Sequence, residues 1–380
     1  YAYNVSYNGR DERKCLNDSI KYDCKSLSYV IGNADYTSFK IKLTRLYKYT
    51  ANKLNCSSQF INILNRTPYK ILIESFHANL ENIQSLIFKC SLVIRNKHFS
   101  QISYIAFKRI TFRSIDITLA NVNIRFVNCT FYNVYVKTVQ DNSESTLSLI
   151  LYHTVWLLDH TTKNSHHWKT SSNRISLLHQ KAFHFIAISS FFVNTILRTE
   201  SKYFYVLIQS SVFKYDSNSC CIHSNFQLRR RNVFFVPQNY IKAFNVTVIC
   251  IDQNRMCPFF NLDFENIFIV LIACKFYNLS QALHISSKNL KRDDDGIFLN
   301  MTIIECIFSK IKSHHNGGVI LVLLPKHVCP VVLAKIRLIN DKFVDIETSS
   351  QGGAIYIESE PYHSIYNRNI TLEIIQSVFI

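Results

Sequence analysis

Residues 343–359 read FVDIETSSQGGAIYIES, and residues 308–324 read FSKIKSHHNGGVILVLL. The chain has 380 residues and only 7 glycines, yet each stretch sets two glycines side by side just ahead of a short apolar run. Phe308 to Phe343 and Gly317 to Gly352 are both 35 residues, and Phe343 to Phe379 is 36. A near-constant period of that size, among β-branched and aromatic residues, indicates stacked repeat units. The pairs Gly317–Gly318 and Gly352–Gly353 are read as tight turns at positive φ that lead into a strand. They are structural residues in this reading.

The same pattern extends upstream through the aromatic that closes each short apolar run. Phe112, Phe131, Trp156, Phe192, Phe213, Phe276, Phe308, Phe343 and Phe379 take this place. Aliphatic or β-branched residues alternate ahead of most of them. Two positions before the aromatic stands a small or polar residue, such as Cys129, Ser190, Ser211, Cys274, Cys306 or Ser377. Two positions after it stands Asn133, Asn194 or Asn278, with Asp345 in one coil.

The spacings between these aromatics are 19, 25, 36, 21, 63, 32, 35 and 36 residues. Helical repeats keep a fixed length. A parallel β-helix does not have to, because a turn can grow outward while the strands keep their register. The interval of 63 implies a skipped coil or two. In such a stack Phe lies on Phe inside, small residues line an inner corner, and Asn side chains bond between coils at a turn.

Composition sets the outer limits. Hydrophobic residues are 48%, aromatics 13% and charged residues 18%, which suits a large core and excludes a disordered chain. The net charge of +17 suits an acidic polymer or surface, but the cations are scattered. The densest run is Arg229, Arg230 and Arg231, and no nucleic-acid motif accompanies it. Nine Asn-x-Ser/Thr sequons occur, at Asn4, Asn17, Asn55, Asn65, Asn128, Asn245, Asn278, Asn300 and Asn369. Together with 12 cysteines they favour a secreted or cell-surface glycoprotein from an oxidising compartment. Cys15 with Cys24, and Cys250 with Cys257, are read as disulfides. Cys274 and Cys306 share one repeat position and are candidates for a bond between coils, the alternative being small buried residues in a ladder. The run IFIVLIAC at 267–274 has the length of a buried strand rather than a membrane span. Tyr1 is not an initiator, and the pattern halts mid-coil at Ile380, so the native polypeptide is expected to extend further.

The GGAI-type entry followed by an F-x-N turn resembles the repeats of right-handed parallel β-helix proteins of the pectin-lyase-like class. Within it, the repeats of bacterial polymorphic outer-membrane proteins and similar eukaryotic extracellular proteins are nearest. DCKSLSYVIGNADYTSFKIKL, from Asp23, resembles the entry to such a helix, where a cysteine and a short amphipathic helix cap the first coil. The resemblance implies that Leu27, Tyr29, Val30 and Ile31 cover the open end of the core. The expected fold is all-β, a right-handed parallel β-helix solenoid with a short N-terminal capping helix. Residues 1–38 form the N-terminal segment and cap, and 39–380 the β-helix.

Many proteins of the resembled class degrade polysaccharides, so an enzyme has to be weighed. A lyase needs clustered carboxylates for Ca²⁺ and a basic residue, and a hydrolase needs a spaced carboxylate pair. The acidic residues number 26, and no Asp pair recurs at coil spacing. Asp293, Asp294 and Asp295 lie together in a turn and are read as a solvated loop. Lys335 and Arg337 alternate on a strand and are read as a solvent-facing pair. His166 with His167, and His314 with His315, are adjacent, so each pair points to opposite sides and chelates poorly. No catalytic residue, metal or cofactor is assigned. The expectation is a non-enzymatic, extracellular, N-glycosylated module with a structural or adhesive role, possible self-association and affinity for acidic polysaccharide. The alternative is a carbohydrate-active enzyme on the same fold.

Overall fold

The computed structural model describes residues 1–5, 9–17, 21–34, 38–43, 59–63, 70–75, 86–88, 92–96, 103–138, 147–157, 173–215, 226–228, 239–251, 258–263, 266–286, 297–313, 316–324, 331–358 and 367–380. The chain divides into two compact units, Tyr1–Ile186 and Ala187–Ile380. Each is a parallel β-helix.

In the first unit each coil supplies a strand to three faces. The first face runs Ala2–Val5, Ser38–Leu43, Lys70–Ser75, Ser103–Lys108, Val122–Val127 and Leu147–Tyr152, every pair parallel. The second runs Leu86–Phe88, Ile110–Arg113, Thr130–Tyr132 and Val155–Leu157. The third runs Gln59–Ile63, Leu92–Asn96, Asp116–Ala120, Tyr135–Thr138 and the start of Asn173–Ile188. The N-terminal end is closed by the helix Leu27–Asn33, with Leu27, Val30 and Ile31 buried. Ser26 caps it by accepting from the Tyr29 N–H at 3.2 Å. Asp11 in turn accepts from the N–H groups of Lys25 and Ser26 and from the Ser26 hydroxyl. A Cys15–Cys24 disulfide ties this cap together.

The second unit repeats the scheme. Its first face holds the end of Thr195–Gln209, then Asn239–Phe244, Asn266–Ile272, Ile297–Ile304, Val331–Ile339 and Asn367–Ile375. Its second face holds Phe191–Val193, Val212–Tyr215, Thr247–Cys250, Lys275–Tyr277, Ile307–Ser313, Lys342–Thr348 and Val378–Phe379. Its third face begins where Thr195–Gln209 meets Phe226–Leu228. Pro258–Asp263, Gln281–Ser286, Ile320–Leu323 and Ile355–Glu358 follow.

Two corners recur beside the second face, and left-handed residues make the first in every described coil and the second in most. One stands three positions before the aromatic: Arg109, Asn128, His153, Ser189, Ser210, Asn245, Ala273, Glu305, Asn340 and Gln376, all at φ between 48° and 58°. The other stands two positions after it, as at Ser114, Asn133, Asn194, Asn278, Lys310 and Asp345. At each corner the N–H still points along the stack. Asn194 donates to Lys214 O at 2.9 Å, Asn278 to Ser309 O at 3.1 Å, and Ala273 to Ile304 O at 2.9 Å. The asparagines after the aromatic are therefore selected for a backbone they tolerate better than most residues. Asparagine side chains at other positions also bond between coils. Asn173 Oδ1 accepts from the Val134 N–H at 2.9 Å, and Asn239 Oδ1 from the Phe204 N–H at 3.2 Å.

Aromatic columns fill the core. In the first unit Phe112, Phe131 and Trp156 are register partners, with ring centroids 5.2 and 3.9 Å apart. A second column, Phe107 on Phe126, meets the first edge-on. In the second unit the column runs Phe192, Phe213, Val248, Phe276, Phe308, Phe343, Phe379. The 63-residue interval thus spans two coil steps, with valine on the one rung between. The volume that valine leaves is taken by Phe259, whose ring meets Phe213 at 5.2 Å and Phe276 at 6.0 Å. Phe259 comes from the third face of the same coil.

The glycine pairs stack on each other. Gly317 donates to Gln351 O at 2.9 Å, and Gly318 donates to Gly353 O. Gly317 has φ +66° and Gly352 +88°. A Cβ on Gly318 would lie 2.7 Å from Gly353 O and 2.8 Å from Ile346 Cγ2, so a side chain there would have to displace the next coil.

Filling the valine rung tests this packing. Val248→Phe restores the repeat on paper but collides with Phe259, so we expect it to destabilise by about 1–3 kcal/mol, with most of the loss recovered when Phe259→Ala is added. Phe276→Ala, in mid-column, should cost about 3–5 kcal/mol. Denaturant unfolding of the three variants measures each value, and a neutral Val248→Phe would refute the compensation.

Candidate functional site

The most organised side-chain arrangement lies inside the corner two positions before the aromatic. In the second unit Ser190, Ser211, Val246, Cys274, Cys306, Asp341 and Ser377 share this position. Most of the polar rungs follow one rule. The side chain accepts the N–H of the same position in the preceding coil. Ser211 Oγ accepts from Ser190 N at 3.1 Å, Cys306 Sγ from Cys274 N at 3.3 Å, Asp341 Oδ1 from Cys306 N at 2.7 Å, and Ser377 Oγ from Asp341 N at 3.1 Å. Serine and cysteine rungs return a bond to the carbonyl two residues earlier in their own coil, as Ser211 does to Gln209 O at 2.8 Å. The corner turns the backbone too tightly for that N–H to reach a neighbouring carbonyl, so a short side chain substitutes for it.

This ladder places the cysteines. Cys274 and Cys306 stand in adjacent coils, and both are thiols, not halves of a bond between coils. Parallel stacking aims equivalent side chains the same way about 4.8 Å apart, whereas a disulfide needs Cβ atoms that converge to about 3.8 Å. Cys306 Sγ is a corner acceptor instead, and Cys274 Sγ donates to Ala243 O and Ile272 O, both at 3.4 Å. Burial pushes the Cys129 thiol up to about 12, and hydrogen bonding with Cys274 together with burial raises that of Cys306. Neither is a nucleophile at neutral pH. Cys250 is buried, and Cys257 lies outside the described residues.

Asp341 is the one carboxylate in the ladder. It is fully buried, and burial raises its carboxyl to about 6 despite two N–H donors, from Cys306 and from Ile339 at 3.0 Å.

On the outer faces, carboxylates pair with cations between coils. Glu74 stands opposite Lys42 and Lys108 and bonds Lys40. Glu347 stands opposite Lys312 at 3.0 Å. Glu373 receives Arg337 at 2.7 Å and Lys335 at 3.3 Å, and these contacts hold its carboxyl below the usual range. Lys335 and Arg337 are thus a clamp on one acid of the next coil. Asp116 stands opposite Tyr135, and burial raises its carboxyl, partly offset by Lys137. Among the described strands no two carboxylates are register partners. Asp293–Asp295, both histidine pairs and Arg229–Arg231 lie outside the described residues.

The outward side of the first face in the second unit is unusual. Tyr205, Tyr240 and Phe268 are successive register partners, all half-exposed, and Tyr240 and Phe268 stack at 5.1 Å. Lys242 sits over both tyrosines, 5.9 and 5.7 Å from their centroids. Phe298 continues the aromatic surface, 5.1 Å from Phe268.

The sequons fall into distinct settings. Asn128 and Asn245 are exposed left-handed corner residues, and Asn278 is a half-buried one. Asn4, Asn300 and Asn369 lie on strands of the first faces. Asn17 ends the helix Arg13–Asn17. Asn55 and Asn65 lie outside the described residues.

No protein-family model, curated protein or solved structure matches the chain.

The buried carboxylate gives a pH test. The folded pKa of Asp341 lies above its unfolded value of 3.8, so its contribution is fully present below pH 3.8 and is lost as pH rises through about 6. Asp341→Ser supplies the hydroxyl used elsewhere in the ladder. We expect it to gain on the parent by roughly 1–3 kcal/mol between pH 4 and pH 8. Parallel melting curves across that range measure the gain, and an unchanged difference would refute it.

Proposed function

We propose that this chain is a non-enzymatic, secreted, N-glycosylated β-helix module with a structural or adhesive role in an extracellular assembly. The observation that carries this reading is how its outer charge is placed. Glu74, Glu347 and Glu373 each face cations across a coil boundary, where they hold neighbouring coils together. A polysaccharide-cleaving site needs carboxylates held apart from one another and free to exchange protons with substrate. Here each of these acids is engaged by cations of its own or a neighbouring coil. The sequons support the secretory setting, and the GGAI and F-x-N repeats support a relation to pectin-lyase-like extracellular proteins of the non-enzymatic kind.

The net charge of +17 extends the reading to acidic glycans as binding partners. Such binding is electrostatic and weakens as the screening length falls from about 10 Å at 0.1 M salt to about 3 Å at 1 M. Natively purified protein should therefore bind heparin-like or pectic polymers at low salt and release them at high salt, with no new reducing or unsaturated ends formed. Such ends would replace this reading with a polysaccharide-degrading enzyme. Filaments or larger particles in electron micrographs of the same material would give the structural role, and dispersed single modules the adhesive one.

A further inference from the structure

Around the strand Asn266–Ile272 the outward side of the first face in the second unit is largely apolar. The strand Asn266–Ile272 is buried on one side at Ile267, Ile269 and Leu271, and its outward side carries Phe268, Val270 and Ile272. Parallel strands apolar on both sides are ordinarily covered on both. A contiguous apolar patch of this kind marks a surface that something else occupies.

Asn300 lies within this patch. The sequon Asn300-Met301-Thr302 is on the strand Ile297–Ile304, where alternation buries Met301 and turns Asn300 and Thr302 outward. Phe298, two residues earlier, is outward on the same side. Phe268 is the register partner of Asn300 in the preceding coil. The two rings are 5.1 Å apart, and Tyr240 stacks beyond Phe268. The amide that would bear a sugar is therefore flanked by two aromatic rings, one along the strand and one across the coil boundary. The C–H face of a pyranose packs on an aromatic face, and the sugar hydroxyls stay in water. Three other described sequons lack this setting. Asn128 and Asn245 occupy exposed corners, and Asn369 has Asn367 two residues before it and Leu333 as register partner.

We propose that Asn300 carries an N-linked glycan whose first sugars lie on Phe298 and Phe268, so that the chain's own glycan covers the aromatic side of this face. The proposal rests on the secretory reading above. It commits the surface to a carbohydrate cover, not to a protein partner.

Glycopeptide mass spectrometry of natively purified protein tests occupancy. Asn300 should be occupied in most molecules. Enzymatic deglycosylation under native conditions should then lower the Tm by about 2 °C and raise binding of a hydrophobic dye. The same treatment of Phe298→Ala, an outward substitution that leaves the core intact, should lower its Tm by clearly less. Occupied Asn4, Asn128 or Asn245 with bare Asn300 overturns this inference and leaves the secretory reading standing. Bare sequons throughout overturn both. Equal Tm losses in parent and Phe298→Ala overturn the aromatic platform.

Discussion

Everything in this protein depends on one constraint: the backbone must turn from face to face in every coil without losing its hydrogen bonds to the next coil. A polypeptide does this by placing single residues in the left-handed region, which leaves the peptide N–H aimed along the stack while the strand direction swings. For non-glycine residues such a conformation costs on the order of 1 kcal/mol. The chain accepts that cost repeatedly, at residues as varied as Arg109, His153, Ala273 and Glu305. In return every strand meets its equivalent in register. The strain is local, and the bonds that maintain it come from the coils on either side.

Register then decides what fills the interior. Equivalent positions repeat at strand spacing, so like side chains stack on like, and the flat faces of phenylalanine make that stacking efficient. Uniformity is not required. The valine rung at 248 is completed by Phe259 from another face, so the packed volume per coil is maintained rather than the identity of one residue. The inner corner has the opposite demand. It takes short side chains, and so serine, cysteine and aspartate interchange there as acceptors, with Val246 as an apolar rung among them. Asp341 shows the limit of this tolerance, since its second oxygen brings a charge into a dry corner.

The fold was legible because its signal is periodic. The aromatic that closes each short run is the register residue in the described coils apart from the valine rung, and each glycine pair makes a turn that includes positive φ. The corner three residues before the aromatic was not legible, because a backbone conformation imposed by neighbouring coils leaves little mark on residue choice. The asparagines after the aromatic are visible in the sequence, and the left-handed backbone they share is what the structure adds. The rung at Val248 was hidden because its aromatic lies 11 residues further along the chain, at Phe259. The bond between Cys274 and Cys306 was suggested by spacing alone, which carries no information on whether two sulfurs converge. The outer aromatic surface was missed for a related reason. In a run such as IFIVLIAC the outward residues are as apolar as the inward ones, so hydropathy cannot tell a covered side from a core side.

The stacked corner ladder also determines how such a chain can change length. Each rung's acceptor serves the coil before it, so a residue added or lost within a strand would exchange inward and outward side chains and uncouple the ladder on both sides. A residue added in the connection between faces disturbs neither. The uneven spacings, from 19 to 36 residues between successive register aromatics once the valine rung is counted, are the record of that freedom. Growth by whole coils is equally open, because a duplicated coil arrives with its own donor and its own acceptor. The heritable unit of this architecture is thus the coil, and its variable part is the connection.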